Sequence, residues 1–262
     1  MLGRGRRAAA EPIDPDLLLR AYSVGVFPMA DSHDAPDIFW VEPKRRGVLP
    51  LDRFHLSRSL AKRLKSGRFA VTADRAFARV VATCAHATDE RPETWINGQI
   101  EEAYTLLHKR GHAHSIEVWA PGKIGRTLIG GLYGVTLGRA FFGESMFSRA
   151  TDSSKVAMAF LVARLRAGGY TLLDCQFITD HLASLGAIEI GRGDYRVLLD
   201  EALSDSPSAP ALSSPSSAFP AGLPSGDFFA LDLMAPPATD EAISVSGPIS
   251  GNFIAQLLGQ TS

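Results

Sequence analysis

HSIEVWAPGKIGRTLIGGLYGVTLGRAFFGESMFS, residues 114–148, decides the fold, because it contains three β-favouring runs separated by two short turn signals. The runs predict strands over residues 115–120, 126–136 and 139–147. The intervening turns are Pro121-Gly122-Lys123 and Leu137-Gly138, and strands joined by such short turns pair side by side. The stretch therefore predicts a three-stranded antiparallel meander.

Helices and further strands flank the meander on both sides. Before it, the predicted elements are a helix after Asp14-Pro15, a basic helix from the Ser57 cap to Gly67, a strand over 69–72, a helix capped by Asp74, and a helix from Asn97 to Gly111. After it come a helix over 155–167 capped by Ser153 or Ser154, a strand over 170–175, a short helix over 180–185 and a last strand over 187–198. This order predicts an α+β fold with a mixed, largely antiparallel sheet. It resembles the order of the N-acetyltransferase superfamily, preceded here by a small N-terminal domain.

The chain divides into three predicted parts. We expect a small N-terminal domain over residues 1–54, an acyltransferase-like catalytic domain over 55–203, and a tail over 204–262. Residues 204–226 consist almost wholly of Ser, Pro, Ala and Gly, a composition that cannot bury enough apolar surface to become ordered. The tail is therefore predicted to be disordered, although its apolar runs at 228–234 and 253–258 could dock on the body.

Composition predicts a cytoplasmic protein. No apolar run approaches the ~20 residues that a membrane-spanning helix needs. The basic N-terminus lacks the apolar core of a secretory signal. Cys84 and Cys175 are too few for a disulfide framework. We expect no membrane association.

A strong local charge lies within an almost neutral chain. Residues 44–68 contain nine Lys or Arg residues and one acid, Asp52, whereas the whole chain has a net charge of −1. Such a concentration of positive charge attracts a phosphate backbone. The basic helix in this stretch contributes Arg58, Lys62, Arg63 and Lys65.

The end of the meander contains the first candidate site residues. Side chains alternate along a strand, so Glu144, Met146 and Ser148 are predicted to share one face. A carboxylate beside a methionine and a hydroxyl suits a site that holds a cation next to an apolar pocket. The alternative is a solvated strand end without function.

A second polar segment ends the strand that follows the long helix. Asp174 and Gln176 are predicted to lie on one face and Cys175 on the other. Polar residues at the carboxyl end of a strand commonly line a crevice. The alternative is that Asp174 only caps or turns the chain.

Other motifs argue against metal or cofactor chemistry. His108, His112 and His114 are close in sequence, but no cysteine or carboxylate pattern accompanies them, so we expect no metal site. No nucleophile elbow, nucleophile–base pattern or Walker-type loop occurs, and we expect no cofactor. Trp40 and Trp95 lie in or beside loops, where an indole can stack on a base or simply pack.

Read together, these segments resemble the leucyl/phenylalanyl-tRNA–protein transferases over roughly residues 14–199. The most specific matches are Phe142-Gly143-Glu144-Ser145-Met146-Phe147-Ser148 and Leu173-Asp174-Cys175-Gln176. Further matches are Gly25-Val26-Phe27-Pro28, Phe39-Trp40, His55-Leu56-Ser57-Arg58-Ser59-Leu60, Thr94-Trp95-Ile96, and Gly111-His112-Ala113-His114-Ser115-Ile116-Glu117-Val118-Trp119.

The resemblance implies an aminoacyltransferase that moves Leu or Phe, with Met as a further candidate, from aminoacyl-tRNA to the α-amine of proteins beginning with Arg or Lys. It implies that such proteins are thereby marked for N-degron-dependent degradation.

The resemblance also implies roles for individual residues. Asp174 and Gln176 resemble the family's catalytic pair, and Glu144 the acid that meets the acceptor. Met146, Ser148, Phe142 and Gly143 would form the aminoacyl pocket. Trp40 and Trp95 would contact the 3′-terminal adenosine of the tRNA, and Arg58, Lys62, Arg63 and Lys65 its acceptor stem.

Two questions about mechanism stay open at this point. An amide is not a useful base, so we expect Gln176 to orient the attacking amine through its carbonyl oxygen while Asp174 fixes the amide. Either Glu144 or Asp174 could meet the basic acceptor side chain. The alternative functions are an acetyl-CoA-dependent N-acetyltransferase, disfavoured because residues 148–155 lack glycine, and a non-catalytic RNA-binding module, which leaves the three polar residues without a purpose.

Overall fold

A computed structural model of the chain describes residues 12–86, 94–204, 226–234 and 249–259. Its helices are α1 (Pro15–Ser23), α2 (Arg58–Lys65), α3 (Phe77–Ala85), α4 (Gly98–Lys109), α5 (Ser153–Ala167), α6 (Asp180–Ala183), α7 (Arg192–Leu203), α8 (Ala230–Met234) and α9 (Gly251–Gly259), with a 3₁₀ turn at Leu51–Arg53. Its strands are β1 (Phe27–Met29), β2 (Phe39–Val41), β3 (Arg45–Val48), β4 (Ala70–Ala73), β5 (Ala113–Pro121), β6 (Arg126–Leu137), β7 (Ala140–Ser148), β8 (Leu172–Gln176) and β9 (Ile188–Gly191).

The predicted meander forms the middle of a seven-stranded sheet. The strand order is β4-β5-β6-β7-β8-β3-β9, and every neighbouring pair is antiparallel except β7 and β8. The parallel pair arises because α5 carries the chain back across one face of the sheet between the two strands. The α+β class and the mixed, largely antiparallel sheet are confirmed.

The sheet opens where its parallel pair ends. Pairing between β7 and β8 stops at Phe142 and Asp174, although β7 continues to Ser148 and β8 to Gln176. A β-bulge lies beside this point, because β6 pairs Tyr133 with Ser145 but the next residue, Gly134, with Gly143. A bulge bends its strand and leaves one residue unpaired. That residue is Glu144.

Glycine makes the bulge possible. A Cβ atom on Gly134 would overlap the carbonyl oxygen of Phe142 and the ring of Phe141. A Cβ on Gly130 would lie 2.5 Å from the hydroxyl of Ser153, so glycine there allows α5 to begin close to the sheet. Both glycines serve close approach rather than a phosphate loop.

Helices cover both faces of the sheet and enclose two apolar cores. One core lies under α2, α5, α8 and α9, with Leu60, Phe160 and Ile254 among its buried residues. The other lies under α1, α3, α4 and α7, and includes Leu18 and Tyr104. Burial of apolar side chains on both faces is the main source of stability for such a layered fold.

The predicted domain boundary after residue 54 does not coincide with the boundary between the two sheets of the structure. β1 and β2 form a separate two-stranded sheet, but β3 lies between β8 and β9 in the large one. Residues 45–48 are therefore part of the larger unit. The sequence gives little sign of this, because RRGV is short and mostly basic at its start.

Three predicted local features are wrong. Residues 192–203 form α7 rather than the end of a strand, because Tyr195, Leu199 and Ala202 recur at helical spacing and are buried on one side. Asp74 does not cap α3; its carboxylate accepts from the backbone N–H of Ser115 and lies against His114. Helix α5 begins at Ser153 after Asp152, earlier than predicted.

The tail packs on the body of the protein through its two apolar runs. The ring of Phe228 stacks on His114 with centroids 4.1 Å apart, and Asp232 forms a bidentate ion pair with Arg164 of α5. Helix α9 packs on both α2 and α5, where Ile254 and Leu258 are buried. Predicted disorder is wrong for residues 226–234 and 249–259, because each carries enough apolar surface to be buried. The other predicted tail residues, apart from Ser204, lie outside the described ranges.

Helices long and apolar enough to cross a membrane are absent from the described residues.

We predict that Phe228→Ala lowers the free energy of unfolding by about 3–5 kcal/mol, because it removes a buried aromatic ring from the core. Chemical denaturation measures this directly. The matched control is Leu233→Ala in the same segment, where the side chain is 86% exposed. Equal effects of the two substitutions would contradict the docking of the tail.

Candidate functional site

A cavity of about 500 Å³ lies at the opening between β7 and β8. Its wall is mostly apolar and includes residues from both faces of the sheet. The lining residues are Met29, Trp95, Leu132, Tyr133, Gly143, Glu144, Ser145, Met146, Met158, Leu161, Leu173, Cys175, Gln176, Phe177, Thr179, His181 and Leu182. A volume of this size suits a small ligand.

Two of the four residues expected to form the aminoacyl pocket line this cavity. Met146 and Gly143 do, together with Met158 and Leu161 of α5, which the sequence did not indicate. Phe142 is wholly buried behind the wall, with its ring 4.7 Å from that of Tyr22. Ser148 lies outside the cavity and bonds to Ser153 and to the carbonyl of Ala150.

The bulge also changes which residues share a face. Glu144 faces Tyr22 and Tyr104, in the core under α1 and α4. Met146 packs against the opposite core, under α5. The prediction from simple alternation that Glu144 and Met146 share one face is wrong. The extra residue of the bulge reverses which face of the sheet each following side chain occupies. Both still reach the cavity because the strands have separated there.

Glu144 is a buried carboxyl group in a ring of hydrogen-bond donors. Oε1 lies 2.7 Å from the hydroxyl of Tyr22, and Oε2 lies 2.8 Å from that of Tyr104 and 3.0 Å from Nε2 of Gln176. Burial, with a smaller contribution from the charge of Asp174, raises the pKa of Glu144 from its ordinary value of 4.5 to about 7, although the hydrogen bonds from these donors lower it. The group therefore titrates near neutrality.

Gln176 is held in an uncommon conformation at the end of β8. Its φ is +62°, in the left-handed region that a non-glycine residue seldom adopts. Its backbone N–H donates to Asp174 at 2.7 Å, and Gly47 opposite it admits the turn, because a Cβ there would lie 2.8 Å from the carbonyl carbon of Phe177. Uncommon backbone conformations of this kind cluster at functional sites.

Asp174 is wholly buried and does not line the cavity. Its carboxylate accepts hydrogen bonds from Nε and NH2 of Arg46, from the hydroxyl of Tyr195 and from the backbone of Gln176, at 2.5–3.0 Å. Asp174 and Gln176 do lie on one side of the strand, with Cys175 on the other, as predicted. Asp174 fixes the backbone of Gln176, however, and not its amide, which reaches Glu144 instead.

Arg46 completes this buried pair and was not identified from the sequence. The guanidinium lies between the rings of Phe27 and Tyr195, 4.9 and 4.5 Å from their centroids, and its NH1 donates to the carbonyl of Gly25. Burial lowers the pKa of Arg46, but the charge and hydrogen bonds of Asp174, together with Tyr195 and Glu144, raise it by more, so the net pKa is raised. Burial, with the charge of Asp174, also raises the pKa of Tyr195 well above its ordinary range.

The two tryptophans are placed differently. Trp95 lines the cavity, and its carbonyl accepts from the backbone of Ala30 next to β1. Trp40 lies on β2 opposite Pro28, is 40% exposed and does not line the cavity.

The basic helix lies close to one wall of the cavity. Just before it, His55 donates its backbone N–H to Leu185, which follows α6, and α6 contributes His181 and Leu182 to the lining. The basic side chains differ in availability. Arg58, Lys62 and Lys65 are exposed, whereas Arg63 pairs with Asp152 at 3.5 Å. The charge of the 44–68 stretch is further reduced because Arg46 is buried against Asp174 and Arg45 pairs with Glu189.

Two of the three histidines considered as metal ligands have other partners. His108 bonds to the carbonyl of Ala113 and stacks on Phe77, and His114 bonds to Asp74. Groups of three or more metal-ligating side chains are not found within the described ranges. Cys175 lines the cavity, but burial raises the pKa of its thiol far above neutrality, which disfavours the nucleophilic thiolate.

The sheet opens at its parallel strand pair onto an apolar cavity beside a carboxyl–amide pair. Such a site is suited to the transfer of an acyl group that the donor has already activated. Fold and cavity together indicate a transferase of this class.

Comparison with known proteins identifies the family. Residues 48–200 match the family model "Leucyl/phenylalanyl-tRNA protein transferase", and residues 11–44 match the model of its N-terminal domain. The chain therefore belongs to the leucyl/phenylalanyl-tRNA protein transferase family.

Curated relatives carry the same description. The leucyl/phenylalanyl-tRNA–protein transferase of Rhizorhabdus wittichii is 66% identical over 252 residues, 95% of this chain and 99% of the relative. That of Zymomonas mobilis is 61% identical over 192 residues, 73% of this chain and 70% of the relative. Among solved structures, the crystal structure of FemX matches with a TM-score of 0.48 at 12% identity, covering 67% of this chain and 66% of FemX.

Sequence reasoning found the three polar residues that meet at the site but missed their partners. Tyr22, Tyr104, Tyr195 and Arg46 are buried in other elements, and their spacing is that of ordinary core residues or of a basic surface run. Arg46 offered no usable signal either, because the pairing of its short strand on both edges is visible only in the structure.

We predict that Asp174→Ala lowers the free energy of unfolding by about 3–5 kcal/mol, because it leaves the charge of Arg46 buried without its partner. Denaturant titration measures the change. Glu189→Ala is the control, since it removes the exposed partner of Arg45 on the same strand and should cost less than about 1 kcal/mol. A small effect at Asp174 would show that the ion pair is dispensable for folding.

We also predict a pH-dependent difference in stability between the wild type and Glu144→Gln. The pKa of Glu144 is raised to about 7 in the folded chain against an ordinary 4.5, so the folded state binds the proton more tightly. Wild-type stability relative to the variant is then greatest below pH 4.5 and falls by about 3 kcal/mol as pH rises to 7. A difference independent of pH over this range would contradict the shift.

Proposed function

We propose that this chain transfers Leu, Phe or Met from aminoacyl-tRNA to the α-amine of proteins that begin with Arg or Lys. The observation that carries the proposal is the cavity at the sheet opening, which combines a mostly apolar wall with the Glu144–Gln176 pair. Membership of the transferase family supports the donor and the type of reaction.

The apolar part of the cavity suits the amino-acid side chain. Met146, Met158, Leu161 and Leu173 supply a flexible, uncharged wall, and methionine adapts to ligands of different shape. Such a wall favours Leu, Phe and Met over charged or strongly polar side chains, because the latter would lose hydration without gaining a partner.

The reaction needs positioning more than a strong base. A neutral α-amine forms the new C–N bond with the ester carbon, the bond to the ribose oxygen breaks, and the proton lost by nitrogen is matched by one gained by that oxygen. Gln176 donates through Nε2 to Glu144, and its Oε1 has no hydrogen bond within the described part of the chain. This oxygen can accept from the amine N–H and orient its lone pair toward the ester. Correct orientation contributes about 7–11 kcal/mol to such reactions.

Asp174 acts in this step as a positioning residue that holds Gln176 from outside the cavity. Its carboxylate is already occupied by Arg46, Tyr195 and the backbone of Gln176. Of the two acids considered from the sequence, we therefore assign the acceptor side chain to Glu144, which borders the cavity. A neutral acceptor side chain would leave that carboxylate without a counter-charge.

The tRNA would approach from the side of α6 and α2. Trp95 in the cavity wall is suited to stack on the 3′-terminal adenosine, with Trp40 further out on β2. Arg58, Lys62 and Lys65 are exposed for the phosphates of the acceptor stem, and Arg63 would have to leave Asp152 to join them. We expect the activity in the cytoplasm, where aminoacyl-tRNA is made, and expect its products to be marked for N-degron-dependent degradation.

The decisive experiment incubates the full chain with labelled Leu-, Phe- or Met-tRNA and peptides that differ only in beginning with Arg, Lys or Ala. We expect label to enter the Arg and Lys peptides and not the Ala peptide. Transfer of an acetyl group from acetyl-CoA instead would favour the acetyltransferase alternative. Binding of tRNA without any transfer would favour a non-catalytic RNA-binding role.

We predict that Arg58→Glu combined with Lys62→Glu weakens tRNA binding and reduces the slope of log K against log salt by about one to two units. Filter binding over a range of salt concentrations measures both quantities. Catalysis at saturating tRNA should change little, because neither residue borders the cavity.

The control for this prediction changes the net charge by the same amount elsewhere. Arg20 of α1 and Lys109 of α4 are exposed and belong to helices on the opposite face of the sheet. Arg20→Glu with Lys109→Glu should leave the salt slope unchanged. If both double variants behave alike, α2 does not contact tRNA.

A further inference from the structure

Three oxygen-bearing side chains form a closed ring at the buried end of the cavity. The hydroxyls of Tyr22 and Tyr104 lie 2.7 Å apart. Each also lies close to one oxygen of Glu144, at 2.7 Å from Tyr22 to Oε1 and 2.8 Å from Tyr104 to Oε2. All three residues are buried, and they come from α1, α4 and β7.

The number of protons in the ring depends on the state of Glu144. Each of the three short oxygen–oxygen contacts requires one hydrogen. The two tyrosines supply two, and a phenol has one O–H to donate. With an ionised Glu144 one contact would have no hydrogen between its oxygens. With a neutral Glu144 the ring closes: Oε1–H donates to Tyr22, Tyr22 donates to Tyr104, and Tyr104 donates to Oε2.

The surroundings favour the neutral ring over ionised forms. Burial and the proximity of Glu144 raise the pKa of both Tyr22 and Tyr104, so the phenols keep their protons. Within the described residues, the other titratable or charged groups that line the cavity or act electrostatically on the ring are Tyr133 of β6, Asp174 and Cys175 of β8, Arg46 of β3 and His181 of α6. Arg46 is the only permanent cation among them, and it is already paired with Asp174.

We propose that Glu144 is a neutral acid in the free protein, that its proton closes the hydrogen-bonded ring with Tyr22 and Tyr104, and that a cationic N-terminal side chain binds by displacing this proton to water. This rests on the proposed function, and it adds two specificity-determining tyrosines and a protonation step to it. In the bound state both hydroxyls donate to the carboxylate and the contact between the two tyrosines is released.

A neutral Glu144 allows the site to be selective without a buried charge that lacks a partner in the free protein. In the free protein the ring is neutral and all its hydrogen bonds are made. A cationic side chain supplies the counter-charge at the moment the carboxylate forms, whereas a neutral one cannot. Acceptor choice then depends on pH as well as on shape.

The test compares a peptide beginning with Arg and one beginning with citrulline, the uncharged isostere of Arg. Both have the same α-amine, so its titration cancels in the ratio of their kcat/KM values. Because the Arg peptide requires the ionised Glu144 and the citrulline peptide the neutral acid, we expect the Arg-to-citrulline ratio to rise about tenfold per pH unit on both sides of about pH 7, the pKa of Glu144. A ratio constant between pH 5 and 8 would overturn the proposal, because it would mean that Glu144 is ionised in the free protein.

Variants of the ring sharpen this test. Tyr22→Phe and Tyr104→Phe each remove a donor to the carboxylate, which raises the pKa of Glu144, so the ratio at any given pH should be lower than in the wild type. Glu144→Gln, an amide analogue of the neutral acid, should give a small ratio that does not vary with pH. Tyr170→Phe is the control, since it removes a buried, hydrogen-bonded phenol in the opposite core and should leave the wild-type profile. An unmoved profile in both ring variants would remove the tyrosines from the mechanism.

A second measurement does not depend on activity. Infrared spectra of the free chain, labelled with ¹³C at glutamate carboxyls, should show a protonated-carboxyl band at pH 6 that is absent from Glu144→Gln. Adding the Arg peptide should remove the band, and adding the citrulline peptide should not. If neither peptide is ever aminoacylated, the proposed function fails while the band still tests the ring. If transfer occurs but the band is missing, only the present inference fails.

Discussion

The buried ion pair between Arg46 and Asp174 connects a strand near the start of the chain with the strand that ends at the cavity. Arg46 lies on β3 and Asp174 on β8, and three hydrogen bonds join their side chains. Through its backbone contact to Gln176, Asp174 then sets the position of the amide that reaches Glu144. The pair is costly to bury and costly to break. The contribution of the ion pair is geometric, because it holds the cavity wall in position although it lies outside the cavity.

The cavity itself follows from the sheet. One parallel pair of strands stops pairing after three registered residues, and a bulge on β7 beside that point turns Glu144 out of the regular alternation. The two strands then present side chains from both cores to the same space. A carboxyl group reaches an apolar cavity in this way while its hydrogen-bond partners stay in the opposite core.

The docked tail adds helices that pack over α2 and α5. In this chain α9 packs between α2 and α5, so the apolar side of the basic helix rests partly on the tail. Buried contacts of this kind restrict how the basic surface is oriented relative to the cavity.

The sequence by itself determined the meander, the long helix after it and the α+β class, because alternation, turn residues and caps are local signals. Family motifs in the sequence also indicated Glu144, Asp174 and Gln176. Only the tertiary structure decided that Asp174 is occupied by Arg46, that a bulge separates Glu144 from Met146, and that β3 belongs to the large sheet. These facts depend on pairings between residues more than 100 positions apart or on one extra residue in a strand register, and neither leaves a periodic trace in the sequence.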